Sequence, residues 1–503
     1  MNSNNMDSDL RSVQQARDLA VAAREAMRAF QFAPQEEVDR ICEAMVAAAM
    51  REAGRLGQMA HDETGFGYPA HKKLKNEFAA QGVWDSIKDI PTCGVLRRDE
   101  ARKIVEIGAP VGVLCALTPS TNPTSTAIFK ILIGVKARNA VIVAPHPSAK
   151  NCTAEAARVM IAAGEAAGMP KGLVSCMTEL SIQGTNELMN HYATSMILAT
   201  GGPGMVLAAH SCGKPALGVG PGNVPAYVDR TADVTRAAQM LVESKSFDCS
   251  TICATEQAVI ADRPIAEQLK ADMQRFGAQW LTRDEADRLA GKMFRPNGMM
   301  IAPYVGRTPQ ELGRLAGIDV PASTRILVAE LDGIGPKYPL SREKLTSVLG
   351  WMVEDGWRAG FERATQMLTF GGDGHSAVIH SGDEESIIAY GIEQPAFRVL
   401  VNTWGCLGGV GYTTGVRPSF TLGPGGVGGA VVSDNITVEN VLNVKRLASH
   451  LRDAPASARA HGGIVDGAVP QAGGATSASG GTAEAKVIED VVRRILTELK
   501  QKS

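Results

Sequence analysis

Apolar positions in the first part of the chain recur at three- and four-residue steps over Asp9–Phe30 and Pro34–Leu56, among Ala, Arg, Glu and Met. That spacing predicts two long amphipathic helices laid on a larger body. Glu63-Thr64-Gly65-Phe66-Gly67 breaks the pattern, and a third helix is expected over His71–Ile87. From Lys103 the period changes. Ile104–Ile107, Val111–Ala116 and Ala140–Val143 are short apolar runs, the last two apolar on both faces, as strands of a covered parallel sheet are. Thr124–Lys136 has helical spacing, and Asn151–Gly168 reads as an Ala-rich helix stopped by Gly168 and Pro170. Leu173–Met177, Ser195–Ala199 and Ala226–Val228 continue the alternation. The expectation is a doubly wound α/β sheet with its ligand at the carboxyl ends of the strands.

A second α/β block follows, to about Gly423. Helices are expected at Val234–Ser244, Ile265–Phe276, Arg283–Ala290, Arg342–Met352 and Trp357–Thr365, and strands at Ala258–Ala261, Ile326–Glu330, Ser376–Ile379 and Arg398–Val401. After Asp453 the character shifts again. Pro455–Thr482 is Ala/Gly/Ser/Pro-rich, a flexible linker by composition. In Ala483–Ser503, Val487, Ile488, Val491, Val492, Ile495, Leu496 and Leu499 fall on one helical face and charged residues on the other. So short a helix needs a partner surface for its apolar stripe, on its own body or elsewhere. About 30 residues of linker favour a docking tag over a local dock.

Bulk properties narrow the class. The 503 residues exceed one core, and 45% hydrophobic with 21% charged residues is ordinary for a globular protein. A net charge of −2 offers no field to attract nucleic acid or an anionic membrane. Nine cysteines without CxxC spacing argue against a disulfide framework and a zinc site, so no metal is expected. The polar N-terminus and the lack of a long uncharged apolar run point to a cytoplasmic protein.

Three stretches carry candidate chemistry. Ser246–Gln257 places Cys249 and Cys253 just ahead of the apolar run Ala258–Ala261, where a nucleophilic thiol on a loop would stand. A buried core thiol is the plainer alternative for either. Thr200-Gly201-Gly202-Pro203-Gly204 joins a strand to a helix, and its glycines allow a backbone to approach a pyrophosphate at the helix start. The same stretch also fits an ordinary strand-to-helix turn. Leu117–Thr126 is a polar loop after a strand; Asn122 there could donate its amide to an oxyanion or simply cap a helix.

Thr121–Lys130, Ala144–Asn151 (APHPSAKN) and Ile252-Cys253-Ala254-Thr255-Glu256-Gln257, with Pro339–Leu345, Gly374–Ala377 and Pro418–Gly423, closely resemble the CoA-acylating aldehyde dehydrogenases. These include the microcompartment enzymes and the acetaldehyde dehydrogenase half of bifunctional aldehyde–alcohol dehydrogenases. The resemblance implies the aldehyde dehydrogenase fold, a Rossmann-like cofactor domain plus an α/β catalytic domain. It makes Cys253 the catalytic thiol and Asn122 the oxyanion-hole side chain. It puts Thr118, Pro119, His146, Thr200, Gly201, Gly202 and Gly220 on NAD, with Glu343 on the nicotinamide ribose. Hydrolytic relatives carry a water-activating glutamate in a stretch that here reads Ala216–Asn223, without a carboxylate. A thioester on Cys253 then lacks a base for water, whereas the thiol of coenzyme A ionises readily without one.

The resemblance therefore implies a small aldehyde substrate and coenzyme A as co-substrate in a ping-pong cycle. His375 and Arg398 fit structural roles as well as site roles, and Cys249 has no part in that cycle. The implied division is an NAD-binding domain over 1–230 with an oligomerisation hairpin near 98–116, and a catalytic thiol domain over 231–423. A return segment over 424–453, a linker over 454–482 and an encapsulation helix over 483–503 follow. The tail resembles peptides that carry enzymes into bacterial microcompartments, implying shell proteins as partners and the compartment lumen as location, with a homodimer or homotetramer expected. The competing readings are a hydrolytic aldehyde dehydrogenase and a non-catalytic scaffold whose tail is the working part.

Overall fold

The computed structural model describes residues 7–455. The chain divides into a main unit, Met1–Ala448, and a C-terminal unit, Ser449–Ser503. The linker and the helix expected over 483–503 lie outside the described residues.

Two parallel sheets build the main unit. The first has five strands in the order Val174–Cys176, Ala140–Ala144, Val113–Leu117, Thr194–Thr200, Ala216–Val219. Val113–Leu117 and Ala140–Ala144 are buried at every residue, as their unbroken apolar runs require of strands covered on both faces. Helix Pro123–Lys136 is buried along its whole length beside them. It carries Lys130, whose ammonium donates to the carbonyls of Leu117 (2.6 Å) and Leu198 (2.8 Å), tying two neighbouring strands together near their carboxyl ends. Those ends are where the first candidate loops begin.

The second sheet has seven parallel strands in the order Ala278–Trp280, Ile326–Glu330, Val348–Glu354, Glu256–Asp262, Val224–Val228, Ala377–His380, Val399–Val401. Two sequence expectations change here. Residues 224–228, which continued the first alternation, hydrogen-bond into the second sheet, so the changeover falls near residue 220 rather than 230. The helix expected over Arg342–Met352 is instead a 3-10 turn at Pro339–Ser341 and the strand Val348–Glu354. Val348–Met352 is buried on both faces, and a Cβ on Gly350 would fall 2.6 Å from Leu331 and 2.9 Å from Ala258 on the flanking strands. Close lateral packing selects the strand, and a short wholly apolar run cannot signal its own period.

The expected N-terminal helices form as Ser8–Phe30 and Gln35–Thr64. The third begins at Pro69 and reaches Ile87 through a π turn at Phe78–Gly82. A separate antiparallel sheet joins Val95–Asp99, Ile104–Pro110 and Leu442–Ala448, so the return segment pairs with the expected hairpin. Among the described residues no helix is long and apolar enough to cross a membrane.

Candidate active site

The loop bearing Cys253 runs from the end of helix Val234–Ser246 to strand Glu256–Asp262. It enters through three consecutive residues, none of them glycine, in the left-handed region: Asp248, Cys249 and Ser250, with φ of 46°, 50° and 61°. Each such residue costs on the order of 1 kcal/mol, so the surroundings must impose the turn.

Helix Pro69–Glu77 and the residue before it do so. The Asp248 carboxylate accepts from the Tyr68 N–H (2.7 Å), the Lys72 ammonium (3.1 Å), the Thr251 hydroxyl (2.8 Å) and the Lys75 ammonium. The Asp248 N–H donates to His71 Nδ1 (2.8 Å), and the His71 ring stacks on Phe247. Positions 68, 71, 72 and 75 share one helical face, which is therefore spent on this loop. Burial alone would raise the Asp248 carboxyl, but Lys72 and Lys75 overturn that and hold it at about 2. Gly67 lets the carboxylate in: a Cβ there would lie 1.9 Å from Asp248 Oδ1. From the other side Lys245 donates to the Ser250 hydroxyl (2.9 Å).

The turn buries Cys249 against Tyr68 and Ser347 and leaves Cys253 partly open to solvent. Burial, then the charge of Glu343, pushes the Cys253 thiol up to about 12, with Arg398 and the backbone N–H groups of Cys253 and Ala254 pulling the other way. The resting sulfur is thus a protonated thiol. Asn122, just before helix Pro123–Lys136, reaches the same loop: its Nδ2 donates to the Thr251 carbonyl (2.9 Å), and its Oδ1 accepts from Lys75 (2.6 Å).

Gly222 also packs against this loop. A Cβ there would fall 2.4 Å from the Cys253 carbonyl oxygen and 3.0 Å from His375 Nδ1. The Gly222 N–H donates to Glu343 Oε1 (3.0 Å). Ala216–Asn223 carries no carboxylate of its own, but the fold brings Glu343 to it, 121 residues beyond Gly222. Burial pushes Glu343 from 4.5 to about 7, so near neutral pH it is half-protonated. His375 is buried, held down to about 3 by burial and then by Arg398, and its Nε2 has no partner. It is a neutral imidazole beside the thiol's backbone.

A raised acid favours the protonated folded state, so its stabilising effect is present below 4.5 and is lost as pH climbs through about 7. The loss amounts to at most roughly 3 kcal/mol, less for a carboxyl partly open to water. Glu343→Gln is accordingly expected to flatten the fall in melting temperature between pH 5 and pH 8. Identical profiles for parent and variant would refute this.

Six of the cofactor candidates, Thr118, Pro119, His146, Thr200, Gly201 and Gly202, line one cleft of about 540 Å³ at the carboxyl ends of the first sheet. Gly220 and Glu343 are not among its lining residues; Glu343 instead meets Gly222, whose neighbour is the Cys253 backbone. The cleft fits a dinucleotide on three observations. Gly202 and Gly204 face open space where a Cβ would meet nothing, so the fold itself has no need of glycine there. Helix Pro203–Ser211 starts without a side-chain cap, leaving N–H groups for an anion. Thr118 is buried with its Oγ1 unpartnered. His146 is exposed at the rim, its Nδ1 engaged by Ser148.

Sequence reasoning missed Lys72, Lys75 and Asp248 and left His375 undecided. Lys72 and Lys75 lie in the polar stretch His71–Glu77, which gives no local signal that either is buried.

The family model for the aldehyde dehydrogenase family matches residues 6–290. An acetylating aldehyde dehydrogenase from Geobacillus thermoglucosidasius superposes with a TM-score of 0.88 at 48% identity, over 89% of this chain and 99% of that one. A propionaldehyde dehydrogenase from the fucose utilisation bacterial microcompartment of Clostridium phytofermentans gives 0.78 at 26% identity, over 86% and 96%. One from Rhodopseudomonas palustris, solved with bound CoA and an acylated cysteine, gives 0.79 at 25% over 86% and 97%. Aldehyde-alcohol dehydrogenase 2 of Entamoeba histolytica is 41% identical over 82% of this chain but 49% of its own length, so the chain spans about half of that relative. The chain belongs to the aldehyde dehydrogenase family.

Proposed function

We propose that the chain is an NAD-dependent, CoA-acylating aldehyde dehydrogenase acting on a small aldehyde through a thioester on Cys253. The observation that carries this is the pairing of a partly open thiol at Cys253 with an amide, Asn122, tied to the carbonyl two residues before it. The acetylating relative and the acylated cysteine of the Rhodopseudomonas enzyme support the same chemistry.

The sulfur loses its proton and attacks the aldehyde carbon, forming the S–C bond of a thiohemiacetal. Asn122 and the Cys253 N–H hold the oxyanion, and the thiol proton passes to solvent at the open side of Cys253, while His375, its Nδ1 paired with Ser376 and its Nε2 unpartnered, stays a neutral group beside the loop. Thr118, Pro119, His146, Thr200, Gly201 and Gly202 would hold the dinucleotide, with Gly220 and Glu343 at the end nearest the thiol. When bound, NAD supplies the hydride acceptor that leaves Cys253 acylated. The thiol of coenzyme A then attacks the thioester carbon, the C–S bond to Cys253 breaks, and acyl-CoA leaves. Steady NAD reduction by short aldehydes should require coenzyme A, and turnover undiminished in its absence would favour the hydrolytic reading.

The finer reading is encapsulation, with the C-terminal helix binding shell proteins in a microcompartment lumen. It is supported by the likeness to the Clostridium phytofermentans enzyme and by the apolar stripe over 487–499. Truncation after Thr482 is expected to leave turnover unchanged and to abolish co-purification with shell proteins; loss of turnover instead would mark the helix as part of the enzyme body.

A further inference from the structure

Lys75 joins the loop that carries Cys253 to the amide of Asn122. It is 2% exposed, and its ammonium donates to three acceptors on two elements: the Asp248 carboxylate, the Asn122 Oδ1 (2.6 Å) and the Thr251 hydroxyl (3.2 Å). A carboxamide has two chemically opposite ends of nearly equal shape. With an ammonium on Oδ1, only the NH₂ end of Asn122 is left to face the Cys253 loop, where it donates to the Thr251 carbonyl. The flipped amide would set its N–H₂ against the ammonium and its oxygen against a carbonyl, so both contacts would turn repulsive.

Charge adds to orientation. Lys72, Lys75 and Asp248 are all buried, two cations against one anion, so the cluster carries an uncompensated positive charge behind the amide. Burial draws the Lys75 ammonium down to about 8, with Asp248 opposing, so it stays protonated at neutral pH. A cation on the carbonyl end polarises the amide and makes its N–H₂ a stronger donor, in a site where low dielectric magnifies the effect. The Asp248 carboxylate in turn fixes Lys75 and, through the Tyr68 N–H and Thr251 hydroxyl, the left-handed turn that delivers Cys253.

We infer that Lys75, anchored by Asp248, is a positioning residue that orients and polarises the Asn122 amide for the oxyanion formed on Cys253. This rests on the reading of Asn122 given above, and the test separates the two. Asn122→Ala is expected to slow the pre-steady-state burst of NADH with a saturating short aldehyde by on the order of 10²-fold. Lys75→Met is expected to slow the same burst roughly 10- to 100-fold while the KM for NAD stays unchanged. In the Asn122→Ala background the further loss from Lys75→Met should shrink to within about threefold, because the interaction it removes is already gone.

Additive losses, with Lys75→Met costing as much in either background, would overturn the inference while leaving Asn122 in place. A near-neutral Asn122→Ala would overturn both. If Lys75→Met does not fold, as judged by circular dichroism, Asp248→Asn takes its place in the cycle. Its loss should likewise be smaller without Asn122, and equal losses in both backgrounds refute the proposal.

Discussion

Cys253→Ala is expected to lower aldehyde-dependent NAD reduction by on the order of 10⁴-fold or more, because the nucleophile and its partners act as a unit. The fold should survive. The side chain is partly open to solvent, and the strained turn is held by Asp248 and Ser250 rather than by the sulfur. Cys249 cannot take over. It is 1% exposed, faces Tyr68 and Ser347, and its thiol is itself pushed up to about 12 by burial and then by Asp248. The assay is NADH formation with a short aldehyde and coenzyme A, alongside a melting curve to show the variant is folded. More than about one hundredth of parental turnover in a folded variant would be too much for a lost nucleophile and would move the chemistry to another residue.

The first sheet was legible because Val113–Leu117 and Ala140–Ala144 are apolar on both faces and the helices between them keep their period. The second was legible except where amphipathic pattern gives out, at strand Val348–Glu354, whose first five residues are buried on both faces. Cys253 and Asn122 could be found from their loops, since loop position and residue type are local properties. What supports them could not. Asp248 meets Lys75 from 173 residues away, and Glu343 meets Gly222 from 121. Neither pairing leaves a mark on local periodicity, and Lys72 and Lys75 read in sequence as the polar face of an ordinary helix. Cys249 and Cys253, only four apart, are separated in role by three left-handed residues that the sequence gives no reason to expect, since none is glycine.

With NAD and aldehyde but no thiol acceptor, the enzyme should give a single burst of about one NADH per site and then stall, the slow exit of the acyl group being the mark of covalent catalysis. Intact-mass measurement of the stalled enzyme should show one acyl group, on the peptide containing Cys253, and added coenzyme A should release it and restart turnover. Hydrolysis of that thioester would need a base for water. Ala216–Asn223 offers none. Glu343 is the carboxylate the fold brings to that stretch, but its Oε1 already accepts from the Gly222 N–H, and at about 7 it is only half-ionised near neutrality. His375, held down to about 3 by burial and Arg398, is too weak a base to draw a proton from water near neutrality. Coenzyme A meets neither difficulty, because a thiol reaches its nucleophilic form far more easily than water does. If NADH instead keeps forming without thiol at a rate comparable to that with coenzyme A, and Glu343→Gln halts only the later turnovers, then Glu343 is a water-activating base and the chain is a hydrolytic dehydrogenase. A burst that stalls in parent and Glu343→Gln alike leaves coenzyme A as the acceptor for which this site is built.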